Sequence, residues 1–326
     1  MLSSVRAAAI VLTVVATGYF LQLSDQEVNS KAPQAAHPEV ISGHAQDATS
    51  ASFNHEYFVS HAQVVPVGLR NIMLPILMYH YVRTPPSVKT DLLGYRLSVS
   101  PSDFAAQMDW LSQHGFHPVD FNDVRAYFAG VAPMPASPVM ITLDDGYSDL
   151  YTTAYPILAA HGFKAVAYIV SGFVGQPRYV TAAQVVQIDH NGIEIASHTV
   201  DHADLARSSY ATVMRELVDS KQWLERLLGH PVLDFAYPSG QFNAQVVSEV
   251  IRAGYDTAVT TMPSVDHSLT DRYLWTRVRV GGGESLAEFA RGLGSPMPSR
   301  ATTVLDIETP QIPLPPLARP TLPLRK

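Results

Sequence analysis

The sequence predicts an α/β protein, a distorted (β/α) barrel of about seven parallel strands in a single catalytic domain, and three observations carry that prediction. Strands and helices alternate from Leu74 to about Leu293. The strands are short apolar runs bounded by glycine and proline, the pattern of strands buried on both faces. No G-x-G-x-x-G follows any strand, which counts against the runner-up, an open doubly wound sheet with a dinucleotide fingerprint.

The elements follow in order. Pro75-Ile-Leu-Met-Tyr-His80 reads as a strand. Ser100 then caps a helix with Pro101 at its first position and Asp103 in its first turn; Phe104, Met108 and Leu111 form its buried stripe, and Gly115 ends it. Phe121 to Phe128 is a second helix, Val139–Leu143 a strand, and Leu150 to His161 a helix stopped by Gly162. Ala165–Val170 and Ile193–Ser197 are strands flanking a helix over Thr181–Asn191. The Tyr210–Leu228 helix places Val213, Leu217, Trp223, Leu224 and Leu227 on its apolar side, with Gly229 as its C-terminal cap. Leu233–Tyr237, a helix over Gln245–Ala253, Thr257–Thr261, Thr276–Val280 and a helix over Ser285–Leu293 complete the alternation. We divide the chain into a signal peptide or membrane anchor (1–23), a linker (24–70), the catalytic domain (71–295) and a proline-rich tail (296–326).

The ends support export. Arg6 is followed by an uncharged run from Ala7 to Leu23, on the border between a signal-peptide core and a spanning helix. A periplasmic or extracellular location is expected, with the membrane reached only through this segment. The linker holds His37, His44, His55 and His61, read as solvated residues, and a short strand around Tyr57–Val67. Absence of cysteine excludes a disulfide framework, a thiol nucleophile and thiolate metal ligands. A net charge of −7 without a basic face argues against nucleic acid as a partner.

Chemistry concentrates at two strand ends. Asp144-Asp145-Gly146 follows one apolar run and His198-Thr-Val-Asp-His202 another. α/β folds place their reactive groups at the C-terminal ends of strands. The i, i+4 spacing of His198 and His202 is that of a helical imidazole pair able to chelate a divalent cation. A buried acid pair needs a cation or hydrogen-bond donors; the plain alternative is a strand-terminating turn, which Asp and Gly favour. One carboxylate and two imidazoles make a site with open positions, and the second carboxylate is free to act as a base.

Thr142-Leu-Asp-Asp-Gly146, Ser197-His-Thr-Val-Asp-His202 and Ala236-Tyr-Pro-Ser-Gly240 resemble, in order and spacing, the three central motifs of the polysaccharide deacetylases, the carbohydrate esterase family four or NodB-homology domain. The likeness covers about Leu74 to Val280. It implies a distorted barrel and metal-dependent removal of acetyl groups from an acetylated polysaccharide, usually at N-acetylated sugars. It also implies Asp145, His198 and His202 as ligands of a divalent ion, Zn²⁺ first with Co²⁺, Ni²⁺ or Fe²⁺ as alternatives, and Asp144 as general base. Tyr237, Pro238 and Ser239 fall in the substrate-binding third motif, Ser239 where the family supplies a backbone N–H to the oxyanion.

Two departures follow. No histidine occurs after His267, where the family's Leu-x-His motif would supply the general acid, and His80 is the expected replacement, in a segment resembling order-rearranged members such as exported poly-N-acetylglucosamine deacetylases. Ala236 stands where many members have an arginine that orients the base; Arg277 or Arg279 is the candidate substitute, with Arg277 also placed among the substrate-binding residues. Trp275, Tyr147 and Tyr237 are candidates for a sugar platform, with core packing as the alternative. An O-acetyl esterase and a non-catalytic glycan-binding protein are the competing functions; no G-x-S-x-G elbow supports a serine hydrolase.

Overall fold

A computed structural model describes residues 71–294. The 1–23 signal or anchor, the 24–70 linker with its strand near Tyr57–Val67 and its four histidines, and the 296–326 tail lie outside the described residues. Among those described, no helix is long and apolar enough to cross a membrane.

In chain order the elements are β1 (Asn71–Met73), β2 (Ile76–Tyr79), β3 (Tyr81–Val82), α1 (Leu92–Leu97), β4 (Ser98–Val99), α2 (Pro101–Gln113), β5 (His117–Pro118), α3 (Phe121–Phe128), β6 (Pro138–Leu143), α4 (Tyr155–Ala160), β7 (Ala165–Ile169), α5 (Ala182–His190), β8 (Ile193–Ser197), α6 (Tyr210–Leu228), β9 (Asp234–Ala236), α7 (Ala244–Arg252), β10 (Thr257–Val259), β11 (Asp266–Ser268), β12 (Val278–Arg279) and α8 (Leu286–Gly294). The main sheet runs β10-β9-β8-β7-β6-β2-β12, seven strands with parallel pairing throughout, and β5 adds to β6. It curls into a half-barrel. The closing segment ties its two edges: Trp275 bridges to Val259 of β10, and Val278 and Arg279 then pair with Leu77 and Met78 of β2. The expected parallel (β/α) barrel is therefore the observed fold.

Sequence signals explain the elements. Ser100 accepts the Asp103 N–H at 3.0 Å as the α2 cap, and Thr181 and Asp120 complete capping boxes at α5 and α3. Gly229 ends α6 in the left-handed conformation, at φ 79°. The strands of the centre are buried along their whole length: all five residues of β7 and all four of β2. Such residues contribute about 1.5–3 kcal/mol each for a large aliphatic side chain, which drives the closure. Phe104, Met108 and Leu111 of α2 pack with Leu77, Ile141 and Ala167 in one core cluster.

The predicted Leu150–His161 helix forms in two parts. Leu150–Ala154 is a π-helical stretch that runs into α4. Pro156 lies in the first turn of α4 and brings no N–H to a helical ladder, a reason for the wider winding just before it. β1 and β11 pair antiparallel outside the main sheet, as β3 and β4 pair in parallel.

Candidate active site

The C-terminal ends of β2, β6, β8 and β9 meet at one mouth of the half-barrel. β6 delivers Asp144 and Asp145, β8 delivers His198 and the loop to His202, β2 delivers His80, and β9 runs into the Pro238–Gly240 turn. They surround a cleft of about 560 Å³. Six non-glycine described residues adopt a left-handed backbone, and four of them are here: Asp145 (φ 73°), Thr199 (69°), His202 (55°) and Ser239 (52°). Each such residue costs about 1–3 kcal/mol, so the surrounding structure holds the loops against local preference. Gly146, at φ 74°, completes the turn after Asp145; a Cβ there would press on Ile169 at 3.2 Å.

The two histidines converge differently from expectation. They do not lie on a helix face, because the chain from His198 to His202 is a non-helical loop, reversed at Thr199 and His202. Two buried groups strap that loop. Glu216 of α6, fully buried, accepts the N–H groups of Val200 and Asp201, each at 2.9 Å. Thr199 Oγ1 accepts the His202 N–H at 2.9 Å.

This loop brings His198 Nε2 to 3.4 Å and His202 Nε2 to 3.5 Å from Asp145 Oδ1. One donor atom from each of the three residues lies within 4.8 Å of the others. His198 Nδ1 faces the carbonyl of Ala236 at 2.8 Å, so that nitrogen carries the hydrogen. In the neutral ring, Nε2 then turns a lone pair toward Asp145. Asp145 Oδ1 itself is buried without a hydrogen-bond partner. Lone pairs converging on an unpartnered carboxylate oxygen call for a positive charge between them, and this donor set fits a divalent cation. Burial pushes Asp145 up and His198 down, but the attraction between the two wins in both, holding Asp145 well below the usual carboxylate range and raising His198. His202 is lowered by burial and by His198.

Asp144 is held separately. It is buried, and Arg277 grips it with two bonds, Nη1 to Oδ1 at 2.7 Å and Nη2 to Oδ2 at 2.8 Å. The same guanidinium donates through Nε to the Thr260 carbonyl at 2.9 Å. Burial alone would raise the Asp144 carboxyl, but the charge and hydrogen bonds of Arg277 outweigh it and keep it ionised. His80 Nε2 lies 3.9 Å from Asp144 Oδ2, and its buried Nδ1 has no partner. Burial lowers the His80 imidazole against the opposing pull of Asp144 and Asp145.

The structure places most of the substrate-facing candidates below the surface. Arg277 is 1% exposed and spent on Asp144, so it has no surface to offer a sugar. Tyr237 and Pro238 are buried too, the Tyr237 hydroxyl donating to the Tyr273 carbonyl; Tyr237 and Ser239 both line the cleft, and of the third motif's predicted trio only Ser239 is exposed. Trp275 is core, donating to Ser268 O. Tyr147 does line the cleft, but it stacks on Tyr81 at 3.7 Å and on Tyr179 at 5.2 Å, so its ring faces are committed to neighbours. Glu216, Arg96 and Leu93 were not singled out from the sequence. Glu216 had one signal, an acid among the inward positions of an amphipathic helix.

Comparison with known proteins agrees with this geometry. A family model described as polysaccharide deacetylase matches residues 132–258. The Bacillus subtilis (strain 168) protein YxkH, whose name assigns it to the polysaccharide deacetylases, is 31% identical over 216 residues, 66% of this chain and 74% of that protein. The chain belongs to the polysaccharide deacetylase family. Another family relative is the poly-β-1,6-N-acetyl-D-glucosamine N-deacetylase of Escherichia coli (strain K12), 27% identical over 238 residues; the match takes in 60% of this chain but 35% of that longer protein. Among solved structures, the Streptococcus pyogenes deacetylase PplD, in complex with acetate, superposes with a TM-score of 0.64 at 26% identity, over 69% of this chain and all of PplD. The polysaccharide deacetylase fold thus accounts for the half-barrel.

Proposed function

We propose that the chain is a metal-dependent N-deacetylase of N-acetylglucosamine-containing polysaccharide. The observation that carries this reading is the division between two adjacent acids: Asp145 presents an unpartnered oxygen to two imidazoles, while Asp144 is held ionised by Arg277. A merely structural acid pair would have both carboxylates saturated by donors.

Asp145, His198 and His202 would hold the divalent ion, Zn²⁺ or a similar ion that the same donors accept. When bound, it supplies Lewis acidity to the acetyl carbonyl and the attacking water. Asp144 receives the proton of that water as its oxygen bonds to the acetyl carbon. Arg277 fixes the plane of the carboxylate throughout. Ser239, exposed in its left-handed turn at the cleft, is the residue whose backbone N–H we assign to the charge that develops on the acetyl oxygen. An amine leaves poorly as an anion, so the carbon–nitrogen bond breaks as His80 gives a proton to the nitrogen. A lowered imidazole is a strong acid once protonated, and Asp144 lies beside it to return the proton. Acetate and a free amine result.

The relatives named for poly-N-acetylglucosamine support the substrate class, and the uncharged Ala7–Leu23 run supports action at or outside the cell envelope. The test is acetate release from N-acetylglucosamine oligomers by the purified full chain. Chelator is expected to abolish it and Zn²⁺, Co²⁺ or Ni²⁺ to restore it; release that ignores the chelator would remove the metal from the mechanism.

A further inference from the structure

Two arginines unused by this chemistry line the same cleft: Arg96, in the last turn of α1, and Arg279, at the end of β12. Both are exposed, and among the described residues neither guanidinium is hydrogen-bonded or ion-paired to a carboxylate. The nearby acids are committed elsewhere. Asp144 is bound to Arg277, Asp145 faces the imidazoles, Glu284 accepts the Gly281 N–H and Glu288 accepts from Ser285. Loss of hydration at the cleft wall and the charge of Arg277 both lower Arg279, with Asp144 opposing them.

The fold keeps the two together. The Gly282 N–H donates to the Arg96 carbonyl at 3.4 Å. A Cβ on Gly281 or Gly282 would collide with the carbonyl of Arg96 or Tyr95, so the chain just after Arg279 rests directly on the end of α1. Arg279 also lines an adjoining cleft of about 540 Å³, which shares Thr261 with the first. On a chain of net charge −7, two guanidinium groups without a carboxylate bound to them stand at one opening. A neutral glycan asks for hydroxyl partners; a planar guanidinium is matched best by a carboxylate or phosphate.

We propose that Arg96 and Arg279 form an anion-reading edge of the cleft, so that the preferred substrate is an N-acetylated glycan bearing a carboxylate or phosphate on or next to the sugar being deacetylated. This rests on the deacetylase reading above and narrows its substrate. Acetate release by the full chain is compared on three oligomers of equal length: N-acetylglucosamine alone, N-acetylglucosamine alternating with glucuronic acid, and N-acetylglucosamine carrying phosphate. At low ionic strength kcat/KM on an anionic oligomer is expected to exceed that on the neutral one about tenfold, an advantage that salt erodes. Arg96→Gln and Arg279→Gln each lower that ratio several-fold through KM, and Arg279→Lys restores part of it. The carboxylate and phosphate arms tell the two anions apart. A neutral oligomer turned over as well as both anionic ones, or a ratio that the variants leave alone, overturns the proposal. Silence on all three oligomers counts against the deacetylase reading instead. Titration of the anionic and neutral oligomers against wild type and Arg279→Gln then decides this one, equal affinities throughout overturning it.

Discussion

Two buried charge clusters sit at opposite ends of the same strands, and they are built to different standards. At the N-terminal ends, Arg125 of α3 donates through Nη1 to both oxygens of Asp234 at 3.0 Å and through Nη2 to Glu194 at 2.7 Å. The Thr257 hydroxyl adds a bond to Asp234, and the Phe121 N–H takes the other oxygen of Glu194. Every carboxylate oxygen there has a donor. At the C-terminal ends, Asp144 meets that standard through Arg277, but Asp145 beside it has an oxygen facing only imidazoles. Buried carboxylates with every oxygen supplied lock a fold together, although the Arg125 Nε there is itself unpartnered; an acceptor left without a donor, among two potential ligands, marks a place for a cation. The contrast between Asp144 and Asp145 repeats, within two residues, the contrast between the two ends.

Substitutions can break that comparison. The largest effect is expected from Arg125→Met, which strands Asp234 and Glu194 and should cost about 3–5 kcal/mol in denaturant unfolding. Activity per folded molecule should stay within about twofold. Arg277→Met should destabilise as well, yet also lower kcat by about a hundredfold because the base loses its fixed plane. If both variants lose activity in proportion to folded protein, the two clusters are alike and the functional end has been misread. Next in size, His80→Ala should depress N-deacetylation by about 10–100-fold while sparing hydrolysis of an activated acetate ester, whose leaving group needs no proton. Equal losses on the two substrates would make His80 structural. The smallest effect is expected from Glu216→Gln, which weakens the strap on the histidine loop; metal affinity should fall about tenfold, measured by competition with a chromogenic chelator. Unchanged affinity would show that the loop holds its shape without that carboxylate.

Much of this was legible in the sequence, because caps and long apolar runs are local signals. Ser100, Thr181 and Gly229 marked helix ends where the structure has them, and the strand before Asp144 ends at Leu143 as expected. β3, β4 and β5 have two residues each and carry no periodicity to detect, whereas β12, as short, lies inside the strand expected over Thr276–Val280. The spacing of His198 and His202 was informative for a reason other than the one it suggested: the i, i+4 interval fits a loop reversed at two left-handed residues as well as a helix turn. The direction of Arg277 was out of reach. A residue in a two-faced strand points inward or outward by register, and register with β2 and β10 is set by the pairings of Val278 with Leu77 and of Trp275 with Val259, the first of them far away in the chain. For the same reason the family's missing arginine looked like a gap at Ala236, whereas the guanidinium arrives from the closing segment and Ala236 contributes its carbonyl to His198.

The central claim is that adjacent acids divide the work, Asp145 for the metal and Asp144 for the proton. Bound metal per chain, measured by atomic spectroscopy after equilibration with Zn²⁺ and removal of excess, tests it directly on Asp144→Asn and Asp145→Asn prepared side by side. Asp144→Asn should keep the wild-type stoichiometry while turnover collapses, and Asp145→Asn should lose both; metal lost from Asp144→Asn and kept by Asp145→Asn would reverse the assignment.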